Sequence, residues 1–70
     1  MTLLIVVEKT KTGYSAYSPD LPGCVATGTT RNKVEKTMRE AIEFHIEGML
    51  AEGYKVPKPA SYAVRVDIAA

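Results

Sequence analysis

The sequence predicts an α+β domain in the order β-β-β-α-β, with one antiparallel-rich sheet and a single helix on one face. Three observations lead there. The chain opens on a short apolar run rich in β-branched residues, Leu3 to Val7. It then passes through a corner, Pro19-Asp20-Leu21-Pro22-Gly23-Cys24, that cannot continue a strand, since proline donates no ladder hydrogen bond and Pro-Asp and Pro-Gly are turn signals. After the corner a long stretch carries apolar residues at helical spacing, and a proline-stiffened segment leads from it to a last alternating run.

Taken in order, Leu3 to Val7 has the continuous apolar character of a strand buried on both faces. Lys9 to Gly13 is polar, ends in glycine and reads as a hairpin loop. Tyr14 to Ser18 forms the second strand, with Tyr14 and Ala16 on one side and Ser15 and Tyr17 on the other. The corner returns the chain to a third strand, Cys24 to Thr27, which Gly28 ends. A helix follows from about Arg31 to about Glu52, because at about 100° per residue Val34, Met38, Ala41, Ile42, His45, Ile46 and Met49 fall on one stripe. Thr30 can cap its start, and so can Asn32 in a box with Glu35. Gly53 suits the position just past its end, and Pro57 forbids continuation. Tyr54 to Ala60 is an extended crossover. Tyr62 to Ile68 is the last strand, with Tyr62, Val64, Val66 and Ile68 alternating against Ala63, Arg65 and Asp67.

Seventy residues make one domain, spanning 1–70, near the lower size limit for a core without staples. The apolar fraction of 46% excludes a disordered chain, and the net charge of +1, with no basic block, argues against a nucleic-acid surface. A lone cysteine excludes an internal disulfide, and no cofactor is expected. The apolar N-terminus is too short and too soon charged for a signal peptide or a membrane span, so a soluble, cytoplasmic protein is expected. One helix covers only one face of a sheet. The other face would expose Leu4, Val6 and a tyrosine of the second strand, and such a patch marks an interface and predicts a homo-oligomer.

These same residues carry a family resemblance. The order of Gly13-Tyr14, Ser18-Pro19-Asp20-Leu21-Pro22-Gly23-Cys24, Gly28 with Thr30, Glu40-Ala41-Ile42-Glu43, and Gly53 with Val56-Pro57 and Pro59 resembles the HicB family of toxin–antitoxin antitoxins. The Asp-Leu-Pro-Gly-Cys segment is its most specific part. The resemblance implies a truncated ribonuclease H-like fold and a non-enzymatic protein that neutralises a HicA-type toxin, which cleaves messenger RNA. Many members also carry a C-terminal DNA-binding module. This sequence ends at Ala70, directly after the last strand, so no operator binding of its own is expected.

Individual residues have plain readings beside functional ones. Asp20 suits an Asx-turn that ties the corner through its own backbone. Cys24 reads as a small apolar strand residue, and His45 as a partly buried helix residue with no catalytic partner. A two-metal nuclease would need converging carboxylates, for which Glu8, Asp20, Glu40 or Glu43, and Asp67 are the candidates. The first strand has no central acid, and the helix acids fall on the solvent face, so no catalytic or metal residues are expected. The residues expected to meet a partner are Glu40, Glu43 and Glu47 on the helix, for a basic toxin surface, and Leu4 and Val6 on the open sheet face. The alternative to a toxin-binding antitoxin core is an orphan homo-oligomeric interaction module, with a metal-dependent nuclease remnant behind it.

Overall fold

The computed structural model describes residues 1–69. Three strands, β1 (Val6–Lys9), β2 (Tyr14–Tyr17) and β3 (Val25–Gly28), precede one helix, α1 (Arg31–Ala51). The strands form an antiparallel meander in the order β1-β2-β3, with Val6 opposite Tyr17 and Tyr17 opposite Val25. This is the α+β arrangement that the sequence predicts, a single helix packed on one face of an antiparallel sheet.

The helix starts where its cap allows. Thr30 has extended backbone, and its hydroxyl accepts the Lys33 N–H at 3.1 Å, which decides between the two candidate caps. At the far end Gly53 takes φ +78°, and the N–H of Tyr54 reaches back to the carbonyl of Met49 at 2.8 Å, which satisfies that carbonyl. Val34 and Met38 are fully buried, and with Ile42 they close over Ala16, Leu21, Cys24 and Ala26. The 21-residue helix is about 31 Å long at 1.5 Å per residue. The four-residue strands span far less, so the helix runs on past the sheet. Ala41, His45, Ile46 and Met49 are accordingly only half-covered. Gly28 lets helix and sheet approach closely, since a Cβ there would lie 2.7 Å from the Val34 nitrogen.

Two expectations need correction. The first strand is not buried on both faces: Leu3, Leu4, Ile5, Val6 and Val7 are all half-exposed, and pairing begins only at Val6. The reason lies across the ladder. β2 stops at Tyr17 because Pro19 turns the chain away, so Leu3 to Ile5 have no backbone partner, and one hydrogen bond from Ser18 Oγ to the Leu4 carbonyl, 2.9 Å, ties the segment down. The second correction concerns the last strand. Tyr62 to Ile68 forms no ladder with the sheet, and Tyr62, Val64, Val66 and Ile68 stand exposed at 83%, 68%, 70% and 76%. Alternation of side chains states that a segment suits a sheet; it does not supply the edge to which the segment bonds.

Candidate functional site

The register of the meander creates two unlike faces. Val7, Ala16 and Ala26 align across the three strands under the helix, where Ala16 and Ala26 are buried. The opposite face carries the row Val6, Tyr17 and Val25, with Tyr17 42% and Val25 67% exposed. Leu4 lies two residues before Val6 on the same side of the chain and is half-exposed. Leu4 and Val6, both half-exposed, therefore lie on the sheet face away from the helix. Val25 completes the row and was not among the residues singled out, although the alternation of the third strand against buried Ala26 carries the signal.

A second apolar surface lies beside β1. The helix packs chiefly over β3 and β2 and touches β1 least. A groove of about 430 Å³ remains between the helix and residues 1–5, which lead into β1, walled by Leu3, Ile5, Ile42 and Ile46 and rimmed by Glu35, Arg39 and Glu43. Glu43 thus borders the groove, whereas Glu40 and Glu47 lie farther round the exposed face. The three acids share one flank of the helix within about one-sixth of a turn, because offsets of three, four and seven residues nearly close whole turns. Phe44, 78% exposed, lies on another side of the overhang, next to a shallow hollow with His45, Met49 and Tyr54. It falls about one-third of a turn from the centre of the apolar stripe, and its phase alone marks it as uncovered.

The corner is built from two consecutive turns. The N–H of Leu21 bonds the carbonyl of Ser18 and the N–H of Cys24 bonds the carbonyl of Leu21, both at 3.2 Å. Pro22 and Gly23, the latter at φ +84°, occupy the central positions of the second turn, as a type II turn requires. Pro19 starts the first. Leu21, 1% exposed, plugs the end of the core between them. Cys24 is buried, and burial pushes its thiol pKa up.

Asp20 does not act as an Asx-turn. Its Oδ1 accepts the backbone N–H of Ala60 at 3.0 Å and the hydroxyl of Ser61 at 3.3 Å, while the buried Oδ2 has no partner among the described residues. It ties the crossover to the corner rather than the corner to itself. The other acids weighed for metal chemistry do not join it: Glu8 is exposed on β1, Glu40 and Glu43 are on the helix flank, and Asp67 lies in the exposed tail. Among the described residues no group of three or more His, Cys, Asp or Glu side chains is placed to hold a metal ion. None of the described helices is long and apolar enough to cross a membrane.

Comparison with known proteins follows the same outline. The family described as HicB-like antitoxin of bacterial toxin–antitoxin system matches residues 3–68. A protein of the rep-hol intergenic region of Haemophilus phage HP1 is 44% identical over 54 residues, covering 77% of this chain and 41% of its own length. A UPF0150 protein of Synechocystis is 44% identical over 46 residues, 66% of this chain and 58% of its own. The chain thus spans about half the length of these two relatives. A UPF0150 protein of Helicobacter pylori is 35% identical over 52 residues, 74% of this chain and 72% of its own. Among solved structures, a chain of a HicA3 and HicB3 toxin–antitoxin complex superposes with a TM-score of 0.68 at 34% identity, covering 84% of this chain and 72% of that one.

Proposed function

This chain belongs to the family of HicB-like antitoxins of bacterial toxin–antitoxin systems, and we propose that it binds and neutralises a HicA-type, messenger RNA-cleaving toxin. The observation that carries the reading is its similarity, in sequence and in fold, to a chain of the HicA3 and HicB3 complex. The role is non-enzymatic: the domain acts by covering the toxin's working surface, in the cytoplasm where messenger RNA is found. Asp20, engaged by Ala60 and Ser61, and the scattered positions of Glu8, Glu43 and Asp67 favour this over a two-metal nuclease.

A surface that handles RNA is basic. The complementary feature here is the helix flank with Glu40, Glu43 and Glu47, all exposed. Charge complementarity of this kind speeds encounter and sets orientation, while apolar contacts, for which Leu4 and Val6 on the open sheet face are available, hold the complex. The test is kinetic. Glu43→Lys with Glu47→Lys should leave the fold intact, since both side chains face water. The pair should slow association with a HicA-type toxin and reduce its dependence on ionic strength. An unchanged association rate would assign docking to the sheet. Failure of the unmodified chain to bind any such toxin would leave the homo-oligomeric interaction module, which the exposed row Val6, Tyr17 and Val25 independently favours.

A further inference from the structure

We propose that residues 62–68 of one copy form an edge strand along β1 of a second copy, and that the exchange is reciprocal, closing a two-fold dimer. The tail presents the first half of the argument. Ten large apolar side chains are exposed on the described chain, and four of them, Tyr62, Val64, Val66 and Ile68, fall at alternate positions of this one short segment. That concentration is a strand face without a sheet, not the scattered exposure of an ordinary surface. The backbone of the segment is paired with no strand.

The body presents the second half. β1 has a hydrogen-bonded neighbour on one side only. In line with that edge, beside residues 1–5 that lead into β1, lies the groove walled by Leu3, Ile5, Ile42 and Ile46. The other cleft at the sheet's margin is lined chiefly by threonines, Thr10, Thr12, Thr27 and Thr29, and offers little apolar wall. The lengths match: the tail strand 62–68 and the extended segment 3–9 both have seven residues, about 23 Å at about 3.3 Å per residue. Laid along β1, the tail turns Tyr62, Val64, Val66 and Ile68 toward the helix and leaves Arg65 and Asp67 in water.

The occupant is a second copy because of how the tail leaves its own body. Pro57 and Pro59 stiffen the crossover, and Asp20 clamps Ala60 and Ser61, so the chain departs from a fixed base. Beyond it the segment projects: the molecule measures 49 × 26 × 16 Å, with a radius of gyration of 13.9 Å. A compact chain of this length has a radius of about 11 Å. Each copy thus carries both an unpaired strand and an unfilled edge, and a two-fold axis satisfies both at once. A lasting interface needs about 1,200–2,000 Å² in total. Tyr62 alone offers on the order of 150–250 Å², and each contribution counts twice in a reciprocal exchange. The net charge of +1 opposes pairing of like copies very little.

The experiment needs only the purified chain, so it succeeds or fails independently of toxin binding. Carbon-13-labelled and unlabelled chains are unfolded, mixed and refolded together, and filtered NOE spectra are recorded on the methyl groups. Cross-peaks between labelled and unlabelled chains, from Val64, Val66 and Ile68 to Leu3, Ile5, Ile42 and Ile46, are expected. Light scattering should give twice the mass of one chain. The same contacts confined within one chain would overturn the proposal, as would a tail that contacts no groove, or a monomer at high concentration. Val64→Asp with Val66→Asp provides the second measurement. Both positions are exposed in the single chain, so its helical circular dichroism should persist while the mass halves. A dimer that survives this change would place the interface elsewhere, on the row Val6, Tyr17 and Val25.

Discussion

Asp20, at the corner between β2 and β3, accepts the backbone N–H of Ala60 at 3.0 Å, across 40 residues of chain. This contact joins the most family-specific segment of the sequence to the base of the exposed tail. Asp20→Ala should therefore loosen the crossover and spare the core. Removing the two hydrogen bonds that its Oδ1 accepts, from the Ala60 N–H and the Ser61 hydroxyl, each worth roughly 1 kcal/mol, should speed amide exchange at Ala60 several-fold. Exchange in the interior of α1 should hardly change. Hydrogen-exchange NMR reads both, and a uniform acceleration throughout the chain would mean that the contact supports the whole fold.

The corner itself should resist a side chain. Gly23 has φ +84°, so although open space surrounds it, Gly23→Val should cost about 1–3 kcal/mol through backbone strain. Thermal unfolding measures this, and an unchanged midpoint would disprove the strain.

Two further glycines should respond with opposite signs. A Cβ at Gly28 would meet Val34 nitrogen at 2.7 Å, so Gly28→Ala should force α1 off the sheet at a cost of about 1–3 kcal/mol. Gly48 lies within α1 with nothing close to the position of a Cβ, so Gly48→Ala should stabilise by about 0.5–1 kcal/mol. Chemical denaturation of the two variants side by side compares them.

Met38 is fully buried between helix and sheet, and Met38→Ala should cost about 2–5 kcal/mol. A domain of this size has only a few kcal/mol in reserve, so a large fraction of the variant should be unfolded at physiological temperature. Circular dichroism at that temperature provides the check.

Burial of Cys24 gives stability a pH dependence. The folded chain holds the thiol proton at pH values where the unfolded chain releases it, because the folded pKa is raised above the ordinary value of about 8.5. The unfolded state then binds fewer protons, so this contribution is complete below about pH 8.5 and is lost as pH rises toward the folded pKa. Cys24→Ala should flatten that alkaline decline. In the folded protein iodoacetamide should modify Cys24 slowly, and denaturant should release the reaction.

Much of this fold is written in short-range chemistry. The second and third strand segments, the stripe from Val34 to Met49, the turn at Pro22-Gly23 and the stop at Gly53 each follow from a few neighbouring residues, because dihedral preference and side-chain period act locally. The open sheet face with Leu4 and Val6 also follows, since one helix has only one sheet face to cover. Tertiary structure decided the rest. It turned Asp20 from a local cap into a clamp on Ala60 and Ser61, left β1 with one free edge, and withheld a ladder from residues 62–68. These outcomes depend on which distant backbone groups meet. A sequence period can say that Tyr62, Val64, Val66 and Ile68 share a face, but the edge that receives them is a property of the assembled chain.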